Sequence, residues 1–125
     1  MRAWFVPQGT RIEALRAAAE LGSYSDRDLQ GLLPYFDEVT LPAGTVVARE
    51  GERCSEFVVV LNGRLHTMTG CIPARTLRAG DSLGWEAMWQ RLPNDATAVV
   101  DTDAQLLVMS HAQFRAIKAI AEPPE

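Results

Sequence analysis

The sequence predicts a mainly β fold with flanking helices: an antiparallel β-barrel or jelly roll, preceded by two helices, interrupted by a short third and closed by a fourth. Three observations carry this expectation. From Val39 to Ser110 the chain runs in short β-branched stretches, cut by Gly, Pro and Asn at spacings of roughly ten residues or fewer, the rhythm of antiparallel hairpins. Before Val39 and after Ser110, apolar residues recur at helical spacing behind Ser or Thr capping signals. Inside the β region lies one short helical run, "WEAMWQ", with Gly84 before it and Pro93 beyond it.

Each element has its own reason. Thr10 and Glu13 form a capping box, Ile12, Leu15 and Ala19 repeat on one face, and Gly22 offers a stop. Ser25 with Asp28 opens a second helix whose Leu29, Leu32, Leu33 and Phe36 share a face, and Pro34 ends or bends it near Leu33. "VTLPAGTVVAREGERCSEFVVVLNGRLHTMTG" (39–70) then supplies successive short strands, and "ARTLRAGD" (74–81) another strand and turn. "ATAVVDTDAQLLVMS" (96–110) reads as two strands around an Asp-Thr-Asp turn, for eight or so strands in all. Ser110 and Gln113 cap a last helix with Phe114, Ile117 and Ile120 as its buried stripe, and "EPPE" stops it.

Bulk properties exclude several classes. At 125 residues and 47% hydrophobic, the chain (1–125) is expected to form one domain with one real core. A net charge of -4, with no run of Lys and Arg, argues against a nucleic-acid footprint. "AWFV" before Pro7 is too short for a secretory core, and nothing approaches the roughly 18 apolar residues of a membrane span. A cytoplasmic location is expected, in which Cys54 and Cys71 stay as thiols and make no disulfide framework.

Four words in order along residues 29–117 resemble the cyclic nucleotide-binding domain family. "LPAGTVVAREG" (41–51) is similar to its first hairpin, and "FVVVLNGRL" (57–65) to its central strand pair around Gly63. "LRAGDSLG" (77–84) is similar to the approach to its phosphate-binding cassette, and "DAQLLVMSHAQFRAI" (103–117) to its last strand and helix. The resemblance implies a helical segment at 1–36, a barrel at 37–109 holding the cassette at 84–97, and a C-terminal helix at 110–121. It implies cAMP or cGMP as the ligand type.

The family's cassette runs Gly-Glu, an apolar helical turn, Pro-Arg and Ala-Thr. Gly84 and Pro93 keep its spacing, and Ala96 and Thr97 keep its strand entry, but Trp85 stands where the ribose-binding Glu is expected and Glu86 falls one place late. Asn94 replaces the phosphate-binding Arg, with Asp95 beside it. Backbone amides at the helix start still suit an anion. Loss of the guanidinium costs about 2–5 kcal/mol, or roughly 30- to several-thousand-fold in affinity.

The expectation is therefore a non-catalytic regulatory or interaction module with a degenerate pocket, in which Trp85, Met88 and Trp89 plug the space with apolar bulk. No cofactor is expected, and the partner is a protein or a second copy of the chain. The alternative is a genuine cAMP, cGMP or other small-metabolite sensor with a rearranged cassette, using Glu86, Arg91 and Thr97. Ligand-responsive relatives carry a further lid helix and transcription factors a helix-turn-helix; neither is expected after "AEPPE".

Other chemistries find little support. His66 and His111, far apart in sequence, make no metal-ligand spacing of the cupin kind, so no metal is expected. No nucleophile elbow or Ser/His/Asp arrangement stands out, and an enzyme is the least favoured class. Asp101 and Asp103 read as a solvated turn, His66 as decoration of a strand face, and the cysteines as structural or incidental. Trp4 and Phe5 either fold back on the barrel or mark a contact with a partner chain.

Overall fold

The computed structural model describes residues 8–121. Trp4 and Phe5 lie outside the described residues, as do the side chains of Ile117 and Ile120. Helix α1 spans Gln8–Ala17 and so begins before Thr10, which lies within the helix and not at its cap; terminal turns shift readily because their bonds are the weakest. A 3-10 turn at Ala19–Leu21 follows. Gly22 ends it at φ -65°, a conformation open to any residue. Helix α2 (Asp26–Leu32) starts where the sequence predicts: Ser25 Oγ accepts the Asp28 N–H at 3.2 Å. Pro34 then tightens the chain into a 3-10 turn at Leu33–Tyr35, having no N–H to extend the helix.

Six antiparallel strands follow: β1 (Asp37–Leu41), β2 (Val46–Ala48), β3 (Glu56–Thr69), β4 (Ile72–Leu77), β5 (Ser82–Leu83) and β6 (Thr97–Ser110). Helix α3 (Trp85–Gln90) sits between β5 and β6, and α4 (His111–Ala121) follows β6. The sheet runs β1-β6-β3-β4, with β2 added to β6 and β5 to β3. Among the described residues the result is a jelly-roll-like sheet with four α-helices.

The strand count is lower than the sequence suggests, for a physical reason. β3 and β6 pair from Glu56↔Ser110 to Met68↔Thr97 and pass through their bend together, with register shifts between Val60 and Leu65. Gly63 makes the bend feasible: its φ is 89°, and a Cβ there would stand 2.6 Å from the Asp103 carbonyl oxygen. Asp101-Thr102-Asp103 is accordingly strand, not a turn between two strands. Asp103 Oδ1 accepts the Ala43 N–H at 2.9 Å, and Asp101 pairs with His66 and, at 3.3 Å, with Arg64.

Both faces of this ribbon are buried, which is why "FVVVL" reads as an unbroken apolar run. Phe57, Val59, Leu61, Leu107 and Met109 face the helices, packed with Leu15, Leu21, Leu29, Leu32, Met88 and Phe114. Val58, Val60 and Leu106 face the interior of the roll with Leu65, Leu77, Val100 and Ala104. Each such side chain contributes about 1.5–3 kcal/mol through burial. Gln105, buried, donates to Glu38 at 2.7 Å and accepts from Asn62 at 3.4 Å, while Arg11 bonds Glu38 at 2.6 Å. That polar chain pins α1 against the ribbon.

Candidate functional site

Helix α3 is seated by its glycine and its aromatics. Gly84 has φ 97°, and a Cβ there would lie 2.5 Å from the Glu56 carbonyl oxygen and 3.2 Å from Cys54 Sγ, so no other residue fits without displacing β3. Cys54 is buried beneath this turn, with its thiol 3.4 Å from the Glu56 carbonyl and 3.5 Å from that of Gly84. Burial pushes the thiol pKa up, helped by the charges of Glu56 and Asp95 and opposed by the bond to the Glu56 backbone. It is a packed structural thiol rather than a reactive one.

The aromatic residues face the helical core. Trp85 meets Phe57 edge-on at 4.9 Å and Phe114 at 5.7 Å; Trp89 meets Phe114 at 4.7 Å; Met88 is fully buried. Helix α4 offers an apolar surface that they cover. Met88 and Trp89 thus lie outside the cleft beside α3, while Trp85 forms part of its wall. A cleft of 390 Å³ stays open at the N-terminal end of α3, within the range that encloses small ligands.

Five of the seven candidate binding residues line this cleft: Gly84, Trp85, Glu86, Asn94 and Ala96. Asn94 is turned to other work. Its Nδ2 donates to the Arg49 carbonyl at 3.0 Å, its N–H to Glu52 O at 2.7 Å, and its carbonyl accepts from Gly51 at 2.9 Å. Thr97 is also occupied, its Oγ1 accepting the Glu50 N–H at 3.0 Å. Both side chains knit the turn between β2 and β3.

Arg91 is the clearest departure. It ends α3 with φ 57° and ψ 41°, and Leu92 N–H closes the helix on the Ala87 carbonyl at 2.8 Å. This left-handed exit carries Arg91 away from the cleft into a separate depression with Arg53, Cys54, Ser55 and His111. It does not reach back to replace the missing guanidinium.

Sequence reasoning missed Glu20 and Ser82, whose hydroxyl donates to Glu20 Oε1 at 2.5 Å on the cleft wall, and Arg75 from β4. No motif links them, because the 3-10 turn and β5 meet only through the tertiary fold. The cleft thus presents Glu20, Glu86 and Asp95 against one cation, Arg75. Like charge disfavours an anionic ligand there. Among the described residues, no group of three His, Cys, Asp or Glu side chains is placed to hold a metal, and no helix is long and apolar enough to cross a membrane.

A jelly roll whose β region is interrupted by a glycine-led helix bordering a cleft defines a small β-domain with a ligand-sized hollow. The family model of the cyclic nucleotide-binding domain matches residues 38–120, more than half of the chain. This chain belongs to that family, whose domains are regulatory rather than catalytic. Its fold is similar to a solved cyclic nucleotide-binding-like protein from Brucella abortus, at TM-score 0.73 and 23% identity over 87% of this chain and 97% of that one. It is also similar to the regulatory domain of Toxoplasma gondii PKA, solved with cAMP, at TM-score 0.77 and 21% identity over 92% of this chain and 47% of that one. A solved protein from Ruegeria pomeroyi gives 0.77 and 15% over 91% and 53%. The chain thus spans about half the length of the last two, and at these identities the likeness is one of fold.

Proposed function

We propose that this chain is a non-catalytic regulatory module that keeps the backbone of a cyclic-phosphate cradle without its ligand-binding side chains, and that acts through a protein partner or a second copy. The observation that carries this reading is Asn94: the residue at the expected guanidinium position spends its amide on the Arg49 carbonyl. Glu20, Glu86 and Asp95 around the cleft add repulsion toward a phosphodiester.

Calorimetric titration with cAMP and cGMP tests it. No heat is expected up to millimolar nucleotide, whereas a micromolar or tighter constant sinks the reading. The variant Asn94→Arg is expected to gain binding of at least about tenfold, because it restores a charge-assisted pair.

A second reading, a sensor for a different small ligand, is favoured by the open volume of 390 Å³ and by the intact Gly84 turn. Its ligand would be neutral or cationic, given the three carboxylates. Saturable quenching of Trp85 fluorescence by such a compound, without response to cAMP, distinguishes it from the first.

A further inference from the structure

The stretch from the end of α3 to the start of β6, residues 92–96, is tied along its length to the turn between β2 and β3. Cys54 N–H donates to the Leu92 carbonyl at 3.0 Å, and Arg53 and Pro93 form an antiparallel bridge. Asn94 N–H donates to the Glu52 carbonyl at 2.7 Å, while the Asn94 carbonyl accepts from Gly51 N–H at 2.9 Å. Its side chain adds a further tie, Nδ2 donating to the Arg49 carbonyl at 3.0 Å. Backbone donor, backbone acceptor and side-chain donor of one residue are all spent on residues 49–52.

The same turn reaches two more points through Glu50. Its N–H donates to Thr97 Oγ1 at 3.0 Å, and its carboxylate accepts Gly70 N–H at 2.8 Å. Thr69, beside Gly70, donates its hydroxyl to the Asp95 carbonyl at 3.1 Å. Three stretches distant in sequence, 49–54, 69–70 and 92–97, therefore meet in one hydrogen-bonded junction. Bonds that converge in this way reinforce each other, because a segment loses its backbone freedom only once however many bonds then hold it.

The junction is also a partition. Asn94 stands with Ala48, Leu83 and Gly84 in the wall common to the cleft and to a second, smaller hollow. Val47 and Val58, which pack with the interior of the roll, line that second hollow. A shift of residue 94 would reshape both hollows at once.

We infer that Asn94 is a built-in latch: through its ties to residues 49–52, the chain itself holds the exit of α3 and the shared wall of both hollows in one arrangement, and no ligand is needed to order them. The latch rests on the proposed loss of the guanidinium at position 94 and supplies the regulation of that same site. An intramolecular bond, not a cyclic nucleotide, sets the cleft, so the surface around α3 is presented to a partner constitutively. Asn suits this position because its amide gives a neutral donor to a carbonyl; a carboxylate would set oxygen against oxygen.

Backbone ¹⁵N relaxation by NMR on the ligand-free protein tests the latch, since it reads order within the folded state and not global stability. Order parameters near the rigid value of about 0.85 are expected at positions 51, 54 and 94. Asn94→Ala removes the side-chain tie and keeps both backbone ties; Asn94→Asp adds repulsion at the Arg49 carbonyl. In both variants order at these positions is expected to fall toward about 0.6, further in Asn94→Asp, while the β3–β6 ribbon stays rigid. Low order in the wild-type protein, unchanged order in both variants, or loosening that extends equally into the ribbon overturns the latch. Order that appears only after cAMP is added overturns it too. Binding of cAMP to a junction already ordered overturns the reading of the cleft and upholds the latch.

Discussion

The two ends of α3 border two hollows of opposite design. At the N-terminal end, Gly84 gives the backbone of a phosphate cradle, but the wall carries Glu20, Glu86 and Asp95, and Asn94 faces the Arg49 carbonyl. At the C-terminal end there is no glycine-led cradle, and Arg53, Arg91 and His111 line a smaller hollow with Cys54 and Ser55. Backbone shape and side-chain charge, which family resemblance places together in one cassette, are here separated along a six-residue helix. The difference teaches that retained shape is poor grounds for retained ligand: the fold preserves Gly84 because β3 lies against it, whatever occupies the cleft.

Three substitutions probe that separation. The largest effect is expected from Trp85→Ala, which removes the ring contacts to Phe57, Trp89 and Phe114 that seat the whole helix. A loss of about 3 kcal/mol in urea unfolding is expected, with both hollows disturbed; a loss below about 1 kcal/mol would show that α3 is held by other contacts. Gly84→Ala comes next, at about 2 kcal/mol, because a side chain at φ 97° meets the Glu56 carbonyl. Its damage should stay at the cleft end, leaving the His111 NMR signals unmoved; a shift there would mean that the two ends are coupled.

The smallest effect is a slope. The folded His111 pKa lies below the unfolded value of 6.5, so between the two values the unfolded chain binds more protons and stability rises with pH. The contribution is complete above pH 6.5 and is lost as pH falls through the folded value. His111→Gln is expected to flatten the stability profile in that window only. An unchanged profile would mean that neither desolvation nor the neighbouring guanidinium charges lower the pKa of this ring.

Much of the fold was legible in the sequence because its signals are local. Ser25 and the Ser110–Gln113 pair cap the helices that follow them, and the apolar runs of 57–61 and 106–109 became strands. Long-range pairing was not legible. Nothing local says that β3 and β6 bend side by side, so Asp101 and Asp103 read as a turn although one pairs with His66 and Arg64 and the other holds Ala43. The cassette's residues were identified by register, but not their directions: Trp85 turns to the core because α4 offers Phe114, and Asn94 is satisfied by a carbonyl 45 positions away. The hollow at the end of α3 left no trace in spacing, since Arg53, Arg91 and His111 come together only once the sheet has folded.

The β3–β6 ribbon also bears on how readily such a chain can diverge. Residues 70–96, with most of the cleft lining, form one excursion between two strands that are already committed to each other over their whole length. The entropy of closing an excursion grows only with the logarithm of its length, and its residues supply few members of either apolar cluster. Foldability and ligand chemistry are thereby written on different parts of the chain. Asn94 lies in that excursion, so a change of its side chain leaves the pairing of the ribbon untouched, whereas Trp85, packed on Phe57, ties the excursion back to the ribbon.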